Sequence, residues 1–314
     1  MKTPIMIGGQ KIGRLRASFL LFKESWRFLR SDKELLLVPV ISLLFSLMLL
    51  GLLTVVGTSY LGSADALFDV KNGMSYPQYG FLFGVYVISA FSLALAQAIT
   101  VHIVYIRAHG GDATLGAGIA RALGLWAPLL LWAVIAGTVG LVLRTISERS
   151  ALIGKIVTAL LGAAWSILTF FVVPVMVLDK QDAVGAIKTS AKLFKQTWGE
   201  TLVANITLGL VFMVAHLLAI ASFVGLIIFG VSTSNAFILI FAIFAIVIWL
   251  IAATLVNSAL QGILKTLLYI YAAENVVPEN FNRELLESML VRKTPTPTTV
   301  TTDIKATTEV LNPQ

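Results

Sequence analysis

His216 stands inside a long apolar run, with Ala215 before it and Leu217 after it. An imidazole in such a place can hydrogen-bond across helices or relay a proton. Further along, Thr254, Asn257 or Ser258, Gln261 and Lys265 recur at spacings of three and four, which sets them in one row along a helix. The amides of Asn257 and Gln261 can each donate and accept. With His216 they make a candidate cavity for a polar headgroup or a small amphipathic solute. The same row also suits a packing seam, with Lys265 reaching to the membrane surface. His102 is followed by Arg107 and His109 close to the end of another apolar run, where Gln97 and Thr100 can bond neighbouring helices.

Other chemistries find no support. The chain has no Cys and three His, so thiolate sites are excluded and a metal centre is not expected. There is no G-x-S-x-G, P-loop or H-E-x-x-H. Asp65, Asp69, Glu148, Asp179 and Asp182 are expected in loops, which leaves no acidic pair inside a span and disfavours ion-coupled transport. No catalytic residue and no cofactor is expected, and the chain does not read as an enzyme.

The elements that must position these residues follow from composition. Of 314 residues, 58% are hydrophobic and 12% charged, against about 25% charged in a soluble domain. Six runs are long enough to cross a membrane, near Leu35–Gly57, Phe81–Tyr105, Leu125–Leu143, Ile156–Leu178, Leu202–Gly230 and Ala236–Val256. The last helix continues to about residue 275 and so outruns the bilayer. The basic N-terminal segment and the long first run do not read as a signal peptide. With the N-terminus inside, the outer side holds only Lys71, Arg144, Arg149 and Lys155 of the 23 Lys and Arg. This positive-inside bias puts both termini in the cytoplasm.

A phrase recurs. "SFLLFKESW" begins at Ser18 and "SAKLFKQTW" at Ser190. On a helix, Leu15, Phe19, Phe22 and Trp26 form one apolar stripe, and Ile187, Ala191, Phe194 and Trp198 form another. Basic rows run beside them: Arg16, Lys23, Arg27 and Arg30, then Lys188, Lys192 and Lys195. Such helices are expected to lie flat at the cytoplasmic interface, with anionic inner-leaflet lipid as the partner. Each large apolar side chain contributes about 1.5–3 kcal/mol and each cation about 1 kcal/mol. Nucleic-acid binding is not expected. A fainter copy holds Leu115, Ile119, Ala122 and Trp126, with Asp112 or Thr114 as its cap and Asp182 as the cap of the second full copy.

The expected fold is all-α: six transmembrane helices in about three units, each an interfacial helix followed by a hairpin of spans. Residues 1–11 read as a tail, and 12–291 as the membrane domain, opening with an interfacial helix over 12–31. Beyond Pro278 the sequence suits a short amphipathic helix from Phe281 to Val291, and residues 292–314, rich in Thr and Pro, read as disordered. Pro174 is expected to kink span four, while Gly137, Gly140 and Gly162 are expected at close helix contacts.

"FVVPVMVLDKQDAVGAIKTSAKLFKQTWGE", "GGDATLGAGIARALG" and "LLYIYAAENVVPENF" resemble a family of uncharacterised prokaryotic polytopic membrane proteins, over roughly residues 14–290. More distantly they are similar to the membrane domain attached to some glycerophosphodiester phosphodiesterases. The resemblance implies a multi-pass protein of a bacterial or archaeal cell membrane and carries no activity. The functional expectation is membrane organisation or lipid homeostasis through the basic interfacial helices. The alternative is a transporter or channel for a lipid-like or small amphipathic solute.

Overall fold

The computed structural model describes residues 5–7, 10–12, 23, 25–63, 65–68, 74–149, 152–197 and 203–274. Two short antiparallel strands, β1 (Ile5–Ile7) and β2 (Gln10–Ile12), pair at the start of the chain. Residues 10–12 are therefore strand, where a tail and the first turn of a helix were expected. The rest is helical. A short helix α1 (residues 25–31) and a 3-10 turn (Lys33–Leu36) lead into α2 (Leu37–Leu61). After the single turn α3 (Asp65–Phe68) come α4 (Tyr76–Ala108), α5 (Leu115–Gly124) and α6 (Trp126–Arg149). Then follow α7 (Leu152–Leu168), α8 (Val172–Leu178), α9 (Ala183–Thr197), α10 (Val203–Ser232) and α11 (Ala236–Glu274).

Among the described residues, six stretches are long and apolar enough to cross a membrane: the 3-10 turn with α2, then α4, α6, α7 with α8, α10 and α11. The protein is a multi-pass integral membrane protein. Glu148 lies within α6 rather than in a loop, because that helix runs six residues past the expected end of its span.

Burial is uneven along the bundle. The core gathers at one end, from residues 94–104 of α4, all of α8 except its last residue, and residues 259–271 of α11, with α5 and α9 packed on it. We call this the packed end. Toward the other end, α2, α10 and the first half of α11 expose large apolar side chains such as Leu44, Leu218 and Phe241. Lipid tails are as apolar as these side chains, so the hydrophobic effect does not press the outer halves together. Close approach there depends on small residues. A Cβ on Gly137 would meet Val87 at 3.0 Å, and one on Gly140 would meet the Tyr86 ring at 2.9 Å. Gly162 is different: its nearest neighbour would be Leu143 at 3.8 Å, an ordinary contact.

Pro174 ends α7 before the span is complete. Its missing N–H leaves the Phe170 carbonyl without an i+4 donor, and the helix breaks over 169–171, restarting as α8. The expected kink is thus a full break one turn earlier than the proline.

Candidate functional site

The packed end is held by polar contacts between segments far apart in sequence. Asp32, just ahead of the first span, is buried beneath Arg107 at the end of α4, with Nε 2.5 Å from Oδ2. The same guanidinium reaches Asp112 at 3.0 Å and the Ala113 carbonyl at 3.4 Å. Burial pushes the Asp32 carboxyl above its ordinary pKa. Arg107 opposes that shift without cancelling it, and neighbouring Glu34 adds to it. Glu34 also accepts from the Leu115 N–H at 3.1 Å, and Thr114 accepts from the Ala117 N–H at 3.2 Å, so α5 is capped from two sides. Thr114, not Asp112, is the cap within the loop. The expected Asp182 cap accepts from the Gly185 N–H at 3.1 Å.

The break in span four is closed by α9. Ser190 is fully buried; its Oγ accepts from the Phe171 N–H at 2.9 Å and donates to the Leu168 carbonyl at 2.7 Å. One hydroxyl thereby satisfies two backbone groups that the break exposes. Arg121 on α5 donates to the Val177 carbonyl at 2.5 Å, tying down the other end of α8. The Tyr269 hydroxyl of α11 donates to Asp179 at 2.7 Å, and the Tyr269 ring meets Phe171 edge-on at 5.8 Å. The His109 ring lies against Glu274 at 3.1 Å and the Tyr105 carbonyl at 2.8 Å. Lys265 holds its ammonium 5.1 Å above the Phe170 ring.

The residues of the expected interfacial stripes fall differently. Leu15, Phe19, Phe22 and Trp198 lie outside the described residues. Trp26 is half-buried against the core, with Arg30 over its ring at 5.6 Å. Ile187 and Phe194 are also half-buried against the core, Phe194 edge-on to Phe170 at 6.5 Å. So protein, through α8 and its neighbours, covers much of the α9 apolar face. Lys188, Lys192 and Lys195 are exposed on the face turned away.

His216 is half-buried on α10. Gln261 is exposed, and its amide donates to Asn257 Oδ1 at 3.1 Å, one turn back on the same helix. A cavity of about 410 Å³ lies between α2, α4 and α11, and His216, Asn257 and Gln261 are not among the residues that line it. Six hydroxyl residues line it: Ser42 and Ser46, Ser89 and Ser92, Thr254 and Ser258. Of these, only Thr254 and Ser258 belong to the polar row noted in the sequence. The signal was nonetheless available, since each pair is spaced three or four apart and so shares a helix face. Among the described residues no group of three or more His, Cys, Asp and Glu could hold a metal.

The model of a family described as "Family of unknown function (DUF6159)" matches residues 77–277, well over half of the chain. The chain belongs to this family. No curated protein matches it. The DUF6159 segment runs from the second residue of α4 to just beyond α11, so it contains Arg107, the break at Pro174, Ser190 and Tyr269. Asp32 and the cavity hydroxyls of α2 lie outside it. The distant likeness to phosphodiesterase membrane domains finds no support beside the DUF6159 match.

Proposed function

We propose that this DUF6159 protein is a non-enzymatic membrane protein that binds and organises anionic lipid in the leaflet at its packed end. The supporting observation is the lysine row of α9. Ala183, Ala186 and Ser190 dock on the core, and Lys188, Lys192 and Lys195 stand exposed on the opposite side. A helix anchored in this way presents cations without the mobility of a free amphipathic segment. On this reading the packed end faces the cytoplasm of a bacterial or archaeal cell, both termini lie there, and the chain comprises three units of short helix plus hairpin. The short helices α1, α5 and α9 precede α2, α6 and α10 in that order, which supports the unit reading.

Three exposed lysines at about 1 kcal/mol each contribute about 3 kcal/mol to anionic-lipid preference, roughly a hundredfold in affinity. The test uses the full-length chain in mild detergent, mixed with phosphatidylglycerol and phosphatidylcholine, with bound lipid counted by mass spectrometry. Wild type enriches phosphatidylglycerol, and high salt reduces the enrichment. Replacing Lys188, Lys192 and Lys195 together by Gln lowers it by an order of magnitude or more. An enrichment untouched by the triple change refutes the reading.

A further inference from the structure

The cavity between α2, α4 and α11 has features of a built site. Residues of α2, α4 and α11 line it. Its hydroxyls grade from exposed Ser89 and Thr254, through half-buried Ser42, Ser46 and Ser258, to buried Ser92. The pocket therefore deepens from a mouth on the bundle surface toward Ser92. Its volume, about 410 Å³, lies within the usual range for small-molecule sites.

The state of the hydroxyls is the second observation. Elsewhere in the spans a Ser or Thr donates to the carbonyl one turn back: Thr100 to Ala96, Thr138 to Val134, Ser166 to Gly162 and Thr266 to Gly262. In the cavity, Ser42 donates to the Ser92 carbonyl at 2.8 Å. Among the described residues the other five side chains make no hydrogen bond, and the Ser92 Oγ is a buried polar atom without a partner. A buried hydroxyl left unpaired in apolar surroundings is unfavourable. A ligand group reaching Ser92 would remove that penalty.

Depth and charge name the ligand. At a rise of about 1.5 Å per residue, Ser42 lies about 28 Å from the far end of α2, Ser92 about 24 Å from that of α4, and Thr254 about 27 Å from that of α11. The hydrocarbon core is about 30 Å thick, and Ser92 stands midway along α4, so the hydroxyls gather within the hydrocarbon rather than at its edge. The polar groups of an uncharged lipid can be drawn to that depth without burying an ion. No lining residue is charged. A phosphate would find no counter-charge here, and an unpaired ion in such a place is strongly disfavoured. We infer that the groove binds an uncharged glycerolipid bearing a free hydroxyl, of the diacylglycerol class, with its esters and hydroxyl against Ser92 and its partners. This site is separate from the lysine row and holds whether or not that row binds lipid.

The test places the full-length chain in phosphatidylcholine nanodiscs with a dioleoylglycerol probe carrying a photoreactive diazirine. Crosslinks are expected on peptides spanning 39–46, 89–96 and 250–258. Unlabelled dioleoylglycerol competes for them, and phosphatidylglycerol does not. Ser92→Ala weakens competition by about fivefold, the loss of one neutral hydrogen bond. Thr254→Leu, at the exposed mouth where the fold tolerates it, narrows the entrance and also lowers labelling. Changing Lys188, Lys192 and Lys195 leaves the labelling intact, so this inference and the lysine reading fail separately. Labelling spread evenly over all exposed spans, equal competition by phosphatidylglycerol, or indifference to both groove variants overturns the assignment.

Discussion

Arg107→Met tests how the packed end is held together. The change keeps most of the aliphatic stem and removes the guanidinium 2.5 Å from the Asp32 carboxylate. The Asp32 side chain is 2% exposed, so the carboxylate would be left buried with no cation against it. Removing one member of a buried ion pair destabilises by about 3–5 kcal/mol. The Arg107 side chain is 30% exposed, and water screens part of the interaction, which brings the expectation to the lower figure, about 3 kcal/mol. The contact with Asp112, itself 85% exposed, adds less than about 1 kcal/mol. Asp32→Asn has a smaller effect, within about 1 kcal/mol, because burial already opposes the charge that it removes. The double variant should recover about 2 kcal/mol of the Arg107→Met loss. The pH dependence has a definite sign. A carboxyl whose folded pKa is raised binds more protons in the folded than in the unfolded state, over the window above its ordinary value of about 3.9. Its contribution to stability therefore falls as pH rises through that window, and the difference between wild type and Asp32→Asn isolates it. The assay is unfolding of the full-length protein in mild detergent, followed by circular dichroism at several pH values. Equal losses for Arg107→Met and Asp32→Asn, or additive losses in the double variant, would refute the reasoning.

Two further outcomes follow from the packing. Ser190→Ala removes the hydroxyl that bonds the Phe171 N–H and the Leu168 carbonyl at the break, and should destabilise by about 2–4 kcal/mol, measured in the same unfolding assay; a neutral effect would mean that the break needs no cap. Gly140→Val forces a side chain into the Tyr86 ring at 2.9 Å, where overpacking is unfavourable by about 1–3 kcal/mol, whereas Gly162→Ala, with 3.8 Å to its nearest neighbour, should be tolerated.

Much of the architecture can be read from local sequence. A run of apolar residues long enough to cross a bilayer is helical wherever it sits, because every backbone polar group must be bonded within the segment. The presence of six spans therefore follows from hydropathy, although α4 and α6 run past the expected ends, and the Asp182 and Thr114 caps follow from residues three positions apart. The break in span four was legible as Pro174, though its position depends on which carbonyl loses its i+4 donor. What covers each helix face was not legible. Periodicity marks α9 as two-sided, but lipid and protein are equally apolar, so no pattern within the helix tells which one meets Ile187 and Phe194. Only the tertiary structure puts α8 there. The same holds for Asp32 and Arg107, for Ser190 beneath a break twenty residues upstream, and for three ordinary pairs of hydroxyls on α2, α4 and α11. Each is unremarkable on its own helix. Their pairing depends on packing between segments distant in sequence, and that packing brings the hydroxyls together around one cavity.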